Sequence, residues 1–114
     1  MSPSAWTLTS RAGSRVEREQ LESLEAALDA LARRVAALAP EASRREVQFL
    51  SRRIEPAQQV AARVEIAGPR RVRGGVDLRG DGSAEAFTGR VRRTVVKRRS
   101  GESAADALRR VLAT

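Results

Sequence analysis

Apolar and polar residues alternate along this chain with two different periods, and the change of period separates helical from extended stretches. Trp6 and Leu8 alternate with Thr7 and Thr9, so residues 5–11 read as a short strand. Ala12-Gly13-Ser14 is a turn, and residues 15–20 are either the returning strand or the first turns of a helix. From Leu21 the spacing becomes three and four: Leu21, Leu24, Leu28, Leu31, Val35 and Leu38 share one helical face. Asp29 stands four residues before Arg33 for an i,i+4 pair, and Pro40 reads as the stop. Residues 44–55 are ambiguous, since Val47, Leu50 and Ile54 suit a helix while Val47 and Phe49 suit a strand.

Beyond Pro56 the period is two. Val60, Ala62, Val64 and Ile66 share a face, Gly68-Pro69 turns the chain, and Val72, Gly74, Val76 and Leu78 share the next inward face. Gly80-Asp81-Gly82 marks a tight hairpin, because Asp-Gly suits the positive φ angles of a type I′ turn. The spacing predicts strands near 60–66, 71–79 and 84–98. Ser103 and Asp106 form a capping-box-like helix start, followed by Ala105, Leu108 and Leu112 on one face.

These elements predict an α+β fold: an antiparallel β-meander packed against the long helix and the short C-terminal helix. An echo between residues 4–16 and 83–95, with Thr9/Thr88, Arg11/Arg90 and Val16/Val95 among its matches, favours an N-terminal β-hairpin over a helical 15–20. One domain over 1–114 is expected, with 5–38 as strand or hairpin plus long helix and 57–114 as meander plus helix.

Composition narrows the function. The chain has no His, Cys or Tyr, which removes the usual general bases, thiol nucleophiles and phenolic acids, so no catalytic residue is assigned and an enzyme is not expected. No Walker loop or dinucleotide fingerprint is present, and no cofactor is implied. Residues 77–82 resemble the opening of a calcium loop, but Arg79 stands at the third position and Thr88 where a bidentate Glu is required, so no metal is expected. The first residues lack a basic and then apolar leader, and no apolar run approaches membrane-spanning length, so a cytoplasmic location is expected.

The net charge is +8, and it is uneven: 1–43 carry five basic residues and six acids, while 44–114 carry seventeen basic residues and eight acids. If Asp81-Gly82 closes a two-residue loop, Val76 faces Phe87, Val72 faces Val91 and Gly74 faces Gly89, a consistent apolar face. The same register opposes Arg73 to Arg90 and Arg71 to Arg92, with Glu65 beside Arg73 through a 66–72 pairing. Opposed like charges destabilise a sheet, which points to an anion completing the face. Arg71, Arg73, Arg90, Arg92 and Arg98 are therefore the candidate anion-binding residues, with Thr88 and Thr94 beside them; a solvated, salt-screened basic face is the plainer reading.

The function expected is a non-enzymatic basic module for a polyanion, foremost the backbone of DNA or RNA, with an acidic protein as the other partner. The competing class is an assembly subunit that forms a homo-oligomer through the seam of Leu21, Leu24, Leu28, Leu31, Val35 and Leu38.

Overall fold

The computed structural model describes residues 5–49, 60–89 and 92–113. Strands β1 (Trp6–Ala12), β2 (Arg15–Leu21), β3 (Val60–Ala67), β4 (Arg73–Arg79), β5 (Ala84–Thr88) and β6 (Thr94–Val96) form one antiparallel sheet in the order β2-β1-β3-β4-β5-β6. Helices α1 (Leu24–Phe49) and α2 (Ala104–Leu112) cover one face of it, giving the α+β architecture read from the periodicity. Leu8, Val64, Ile66, Val76 and Ala86 from the strands meet Leu28, Leu31, Ala107 and Leu108 from the helices in one buried cluster. Full burial of each of the larger aliphatic side chains contributes roughly 1.5–3 kcal/mol.

The N-terminal hairpin turns at Gly13-Ser14, and residues 15–20 take the strand alternative. Leu21 is the last residue of β2, so the six-residue seam begins in a strand. Leu28 and Leu31 are buried in the core, and Leu21, Leu24, Val35 and Leu38 pack against it. Within the protomer, the part of that face formed by Leu28 and Leu31 is packed against the molecule's own sheet. Asp29 pairs with Arg109 of α2 instead of Arg33, a contact that links the two helices.

Pro40 does not end α1, which runs on to Phe49 and takes in the first part of the ambiguous segment. A proline inside a helix deprives the carbonyl four residues back of its donor. Here that carbonyl belongs to Ala36, and both residues are exposed, so water can satisfy it. Leu50 and Ile54 lie outside the described residues. Among the described residues no helix is long and apolar enough to cross a membrane.

Two registers differ from those expected. Between β3 and β4, Ile66 pairs with Gly74 and not Val72, because the chain needs residues 68–72 to turn. Val72 therefore belongs to the turn, β4 starts at Arg73, and Glu65 stands opposite Gly75, not beside Arg73.

Between β4 and β5 the loop holds three residues. The Gly82 N–H bonds to the Arg79 carbonyl (3.0 Å) and the Arg79 N–H to the Ser83 carbonyl (2.9 Å), with Gly82 at φ +88°. This is a type I turn closed by a glycine bulge, the other hairpin that an Asp-Gly pair can make. The pairing slips by one residue, so Val76 faces Ala86 and Gly75 faces Phe87. A slip of one residue moves every side chain to the other face of the sheet. Ala86 enters the core, and Phe87 goes to the face without helices.

The long third strand is in fact two. β5 ends at Thr88, Gly89 adopts φ +94°, and β6 returns with Thr94 opposite Thr88. At the C-terminus the capping box forms as expected: the Asp106 N–H donates to Ser103 Oγ (3.0 Å) and the Ser103 N–H to Asp106 Oδ2 (3.1 Å).

Candidate functional site

Among the described residues no layer lies over the sheet face away from α1 and α2, and strand alternation decides which residues it presents. Three rows cross the strands. The first holds Gln20, Thr7, Ala67 and Arg73, the second Arg18, Thr9, Glu65, Gly75, Phe87 and Val95, and the third Val16, Arg11, Arg63, Asp77 and Glu85.

Half of this face is neutralised internally. Arg63 and Asp77 form a two-point pair, with Arg63 Nη2 3.0 Å from Asp77 Oδ2, and that hydrogen bond raises the Arg63 pKa against the opposing effect of burial. Arg79 pairs with Glu85 at 2.7 Å. Phe87 lies across Gly75, where a β-carbon would come 2.8 Å from the ring, so only glycine leaves room for it. The guanidinium carbons of Arg63 and Arg93 sit 5.4 and 4.9 Å from the ring centroid, which leaves Phe87 only 3% exposed. The ring is thus covered by cations rather than by a second hydrophobic layer.

The other half is different. Arg11, Arg18 and Arg73 converge on a depression of about 360 Å³, whose walls include Thr7, Thr9 and Glu65. None of the three arginines has a carboxylate within ion-pair distance among the described residues. Glu65 is the one acid in the lining, against three guanidinium groups. Planar guanidinium forks with threonine hydroxyls nearby are suited to oxyanions, each fork taking two oxygens.

Of the candidate anion-binding residues read from the sequence, Arg73 alone lines this depression. Arg71 is exposed in the β3–β4 turn and Arg92 is exposed ahead of β6, so the expected Arg71–Arg92 rung is not formed. Arg90, with Val91, lies outside the described residues, and Arg73 faces the Gly89 end of β5, where its carbonyl accepts the Gly89 N–H at 2.9 Å. Arg98 follows β6 and lines a separate cavity of about 780 Å³ with Arg79, Lys97, Arg99, Glu85 and Glu102. Thr88 and Thr94 are paired across the β5–β6 hairpin and share a parity with Ala86 and Val96, on the helix side.

Arg11 and Arg18 went unnoticed because a count along residues 1–43 balances to near neutrality. Strand alternation unmixes that balance. Arg11 and Arg18 point to the uncovered face, whereas Glu17 and Glu19 point to the helix side, where Arg34 of α1 pairs with Glu17 and stands 4.0 Å from Glu19. Sorting the hairpin's charges by parity would have revealed it.

Among the described residues no group of three or more carboxylates is arranged to hold a metal ion. No protein-family model matches the chain, and no curated protein or solved structure matches it.

Proposed function

We propose that this protein is a non-enzymatic module that binds a polyanion, the phosphate backbone of a nucleic acid, on the uncovered face of its sheet. One observation carries the reading: Arg11, Arg18 and Arg73 share a depression and lack ion pairs among the described residues, while Arg34, Arg63, Arg79, Arg109 and Arg110 each have a carboxylate. Three guanidinium groups sharing a depression with one carboxylate repel one another and are stabilised when an anion enters. Phosphate contacts of this type fix a strand in place without reading its bases. With Phe87 capped by two arginines, base stacking has little exposed ring to use, so binding is expected to be indifferent to sequence.

A mobility-shift assay with a mixed pool of short DNA and RNA, at low salt and then at rising salt, tests this. Retardation that fades with salt supports the proposal. Failure to shift any nucleic acid, together with capture of an acidic protein domain, would transfer the same face to a protein partner.

A further inference from the structure

The β3–β4 connection is closed by a turn whose two central residues are both in the left-handed region: Arg70 at φ +59°, ψ +28° and Arg71 at φ +61°. The Val72 N–H reaches the Pro69 carbonyl at 3.3 Å, and the Gly68 N–H bonds to the Val72 carbonyl at 2.9 Å. Two consecutive left-handed residues spanned by this bond describe a type I′ turn. Asn-Gly or Asp-Gly fill such a turn easily, whereas a long side chain in the left-handed region is strained. Both arginines are exposed, and neither has an ion pair among the described residues. The two residues close the hairpin, but among the described residues no ion pair of their side chains offsets the strain.

Their position supplies a reason. The β3–β4 ladder ends with Ala67 opposite Arg73, so the turn projects from the end of the sheet at which Arg73 stands. Thr88 pairs with both Gly74 and Thr94, so the exposed Arg92, which precedes β6, belongs to that same end, while the Arg93 guanidinium lies over the Phe87 ring. One end of the sheet therefore carries Arg70, Arg71 and Arg92, with Ala67 and Arg73 of the depression at its edge. At the opposite end the loop is Gly80-Asp81-Gly82, with Asp81 bonded to Ser83, and Lys97, Arg98 and Arg99 follow β6 there beside Glu85 and Glu102.

We infer that the Arg70-Arg71 turn is a second contact element, a tip that grips the nucleic-acid backbone where it leaves the sheet. Resting on the proposed function, this inference assigns to that site a path: across the strands through Arg18, Arg11 and Arg73, then off the end past Arg71 and Arg70. The strain at the tip is maintained because arginine is needed there for the ligand. Observed left-handed outliers of this kind concentrate at ligand clamps.

The test uses the full chain with Arg70→Asn/Arg71→Gly, the pair that the turn geometry prefers, beside the charge-preserving Arg70→Lys/Arg71→Lys. Denaturant unfolding and nucleic-acid binding are measured on each. The Asn-Gly variant is expected to unfold at higher denaturant, to bind roughly tenfold more weakly, and to lose about two units of salt slope, one for each phosphate contact. The lysine variant should keep the wild-type unfolding midpoint and most of the salt slope. Raised stability with unchanged binding by the Asn-Gly variant would overturn the inference, as would a failure of that variant to gain stability. Wild-type protein that binds no nucleic acid defeats the underlying proposal and this inference together. Binding lost on changing Arg11, Arg18 and Arg73 but kept in the Asn-Gly variant defeats this inference alone.

Discussion

Among the described residues Phe87 carries the only large ring on the uncovered face, with Gly75 beneath it and Arg63 and Arg93 over it. Truncation to alanine exposes Gly75 and removes both cation–π contacts. On a face open to solvent the void can fill, so Phe87→Ala is expected to cost about 2–3 kcal/mol, at or below the low end for a buried phenylalanine. Urea unfolding checks this, and a loss of under about 0.5 kcal/mol would show that the ring is not held there. A second residue with a measurable signature is Glu102. The Arg110 guanidinium beside it, helped by the Arg99 N–H, lowers its pKa from the ordinary 4.5 to about 2. A carboxylate with a depressed folded pKa stabilises the fold above its ordinary pKa and loses that contribution as pH falls through the folded one. The stability that Glu102 adds should therefore be complete above about pH 4.5 and disappear between there and about pH 2. Carbon-13 titration of its carboxyl should give a midpoint well below that of a free glutamate; an ordinary midpoint would rule out the Arg110 pairing.

At the scale of elements, α1 decides between two uses of one apolar stripe. Leu28 is 2% exposed and Leu31 fully buried against the sheet. Leu28→Glu should remove more than about 3 kcal/mol by losing apolar contact and burying an unpaired carboxylate. Circular dichroism with sedimentation should find an unfolded chain; a folded monomer derived from a wild-type dimer would restore the intermolecular seam. The strands show how far periodicity reads a fold. Alternation located β1, β3 and the inward set of Ala62, Val64, Ile66, Val76 and Leu78, since burial itself creates that pattern. It did not fix the β4–β5 register, because Gly80-Asp81-Gly82 serves a two-residue or a three-residue loop equally well. The choice between them depends on backbone hydrogen bonds at Arg79 that leave no trace in residue type. Nor did it break the run 84–98, although Gly89 held the clue, nor carry α1 past Pro40, where exposure makes a proline tolerable. The site was legible in part for the same reason. Arg73 followed from strand parity, but its neighbours Arg11 and Arg18 arrive from a distant hairpin, and only the β1–β3 pairing brings them together.

Across the whole molecule, the fold sorts charge more sharply than the sequence does. Acids of the N-terminal hairpin turn toward α1, the central pairs Arg63–Asp77 and Arg79–Glu85 neutralise the middle of the uncovered face, and uncompensated arginines remain over β2, β1 and the start of β4. A basic surface of this form attracts a polyanion at long range and holds it by counterion release, so affinity should depend steeply on salt. The most direct test of that claim compares wild-type protein with Arg11→Gln/Arg18→Gln/Arg73→Gln by fluorescence anisotropy on a short labelled single strand and its duplex over a range of salt. If these arginines hold phosphates, the variant binds more weakly to every sequence and its salt slope falls by about two to three units. Its unfolding midpoint stays level or rises, since like-charge repulsion is relieved. Equal affinity and slope for the two proteins, or no binding by the wild type at low salt, would contradict the account.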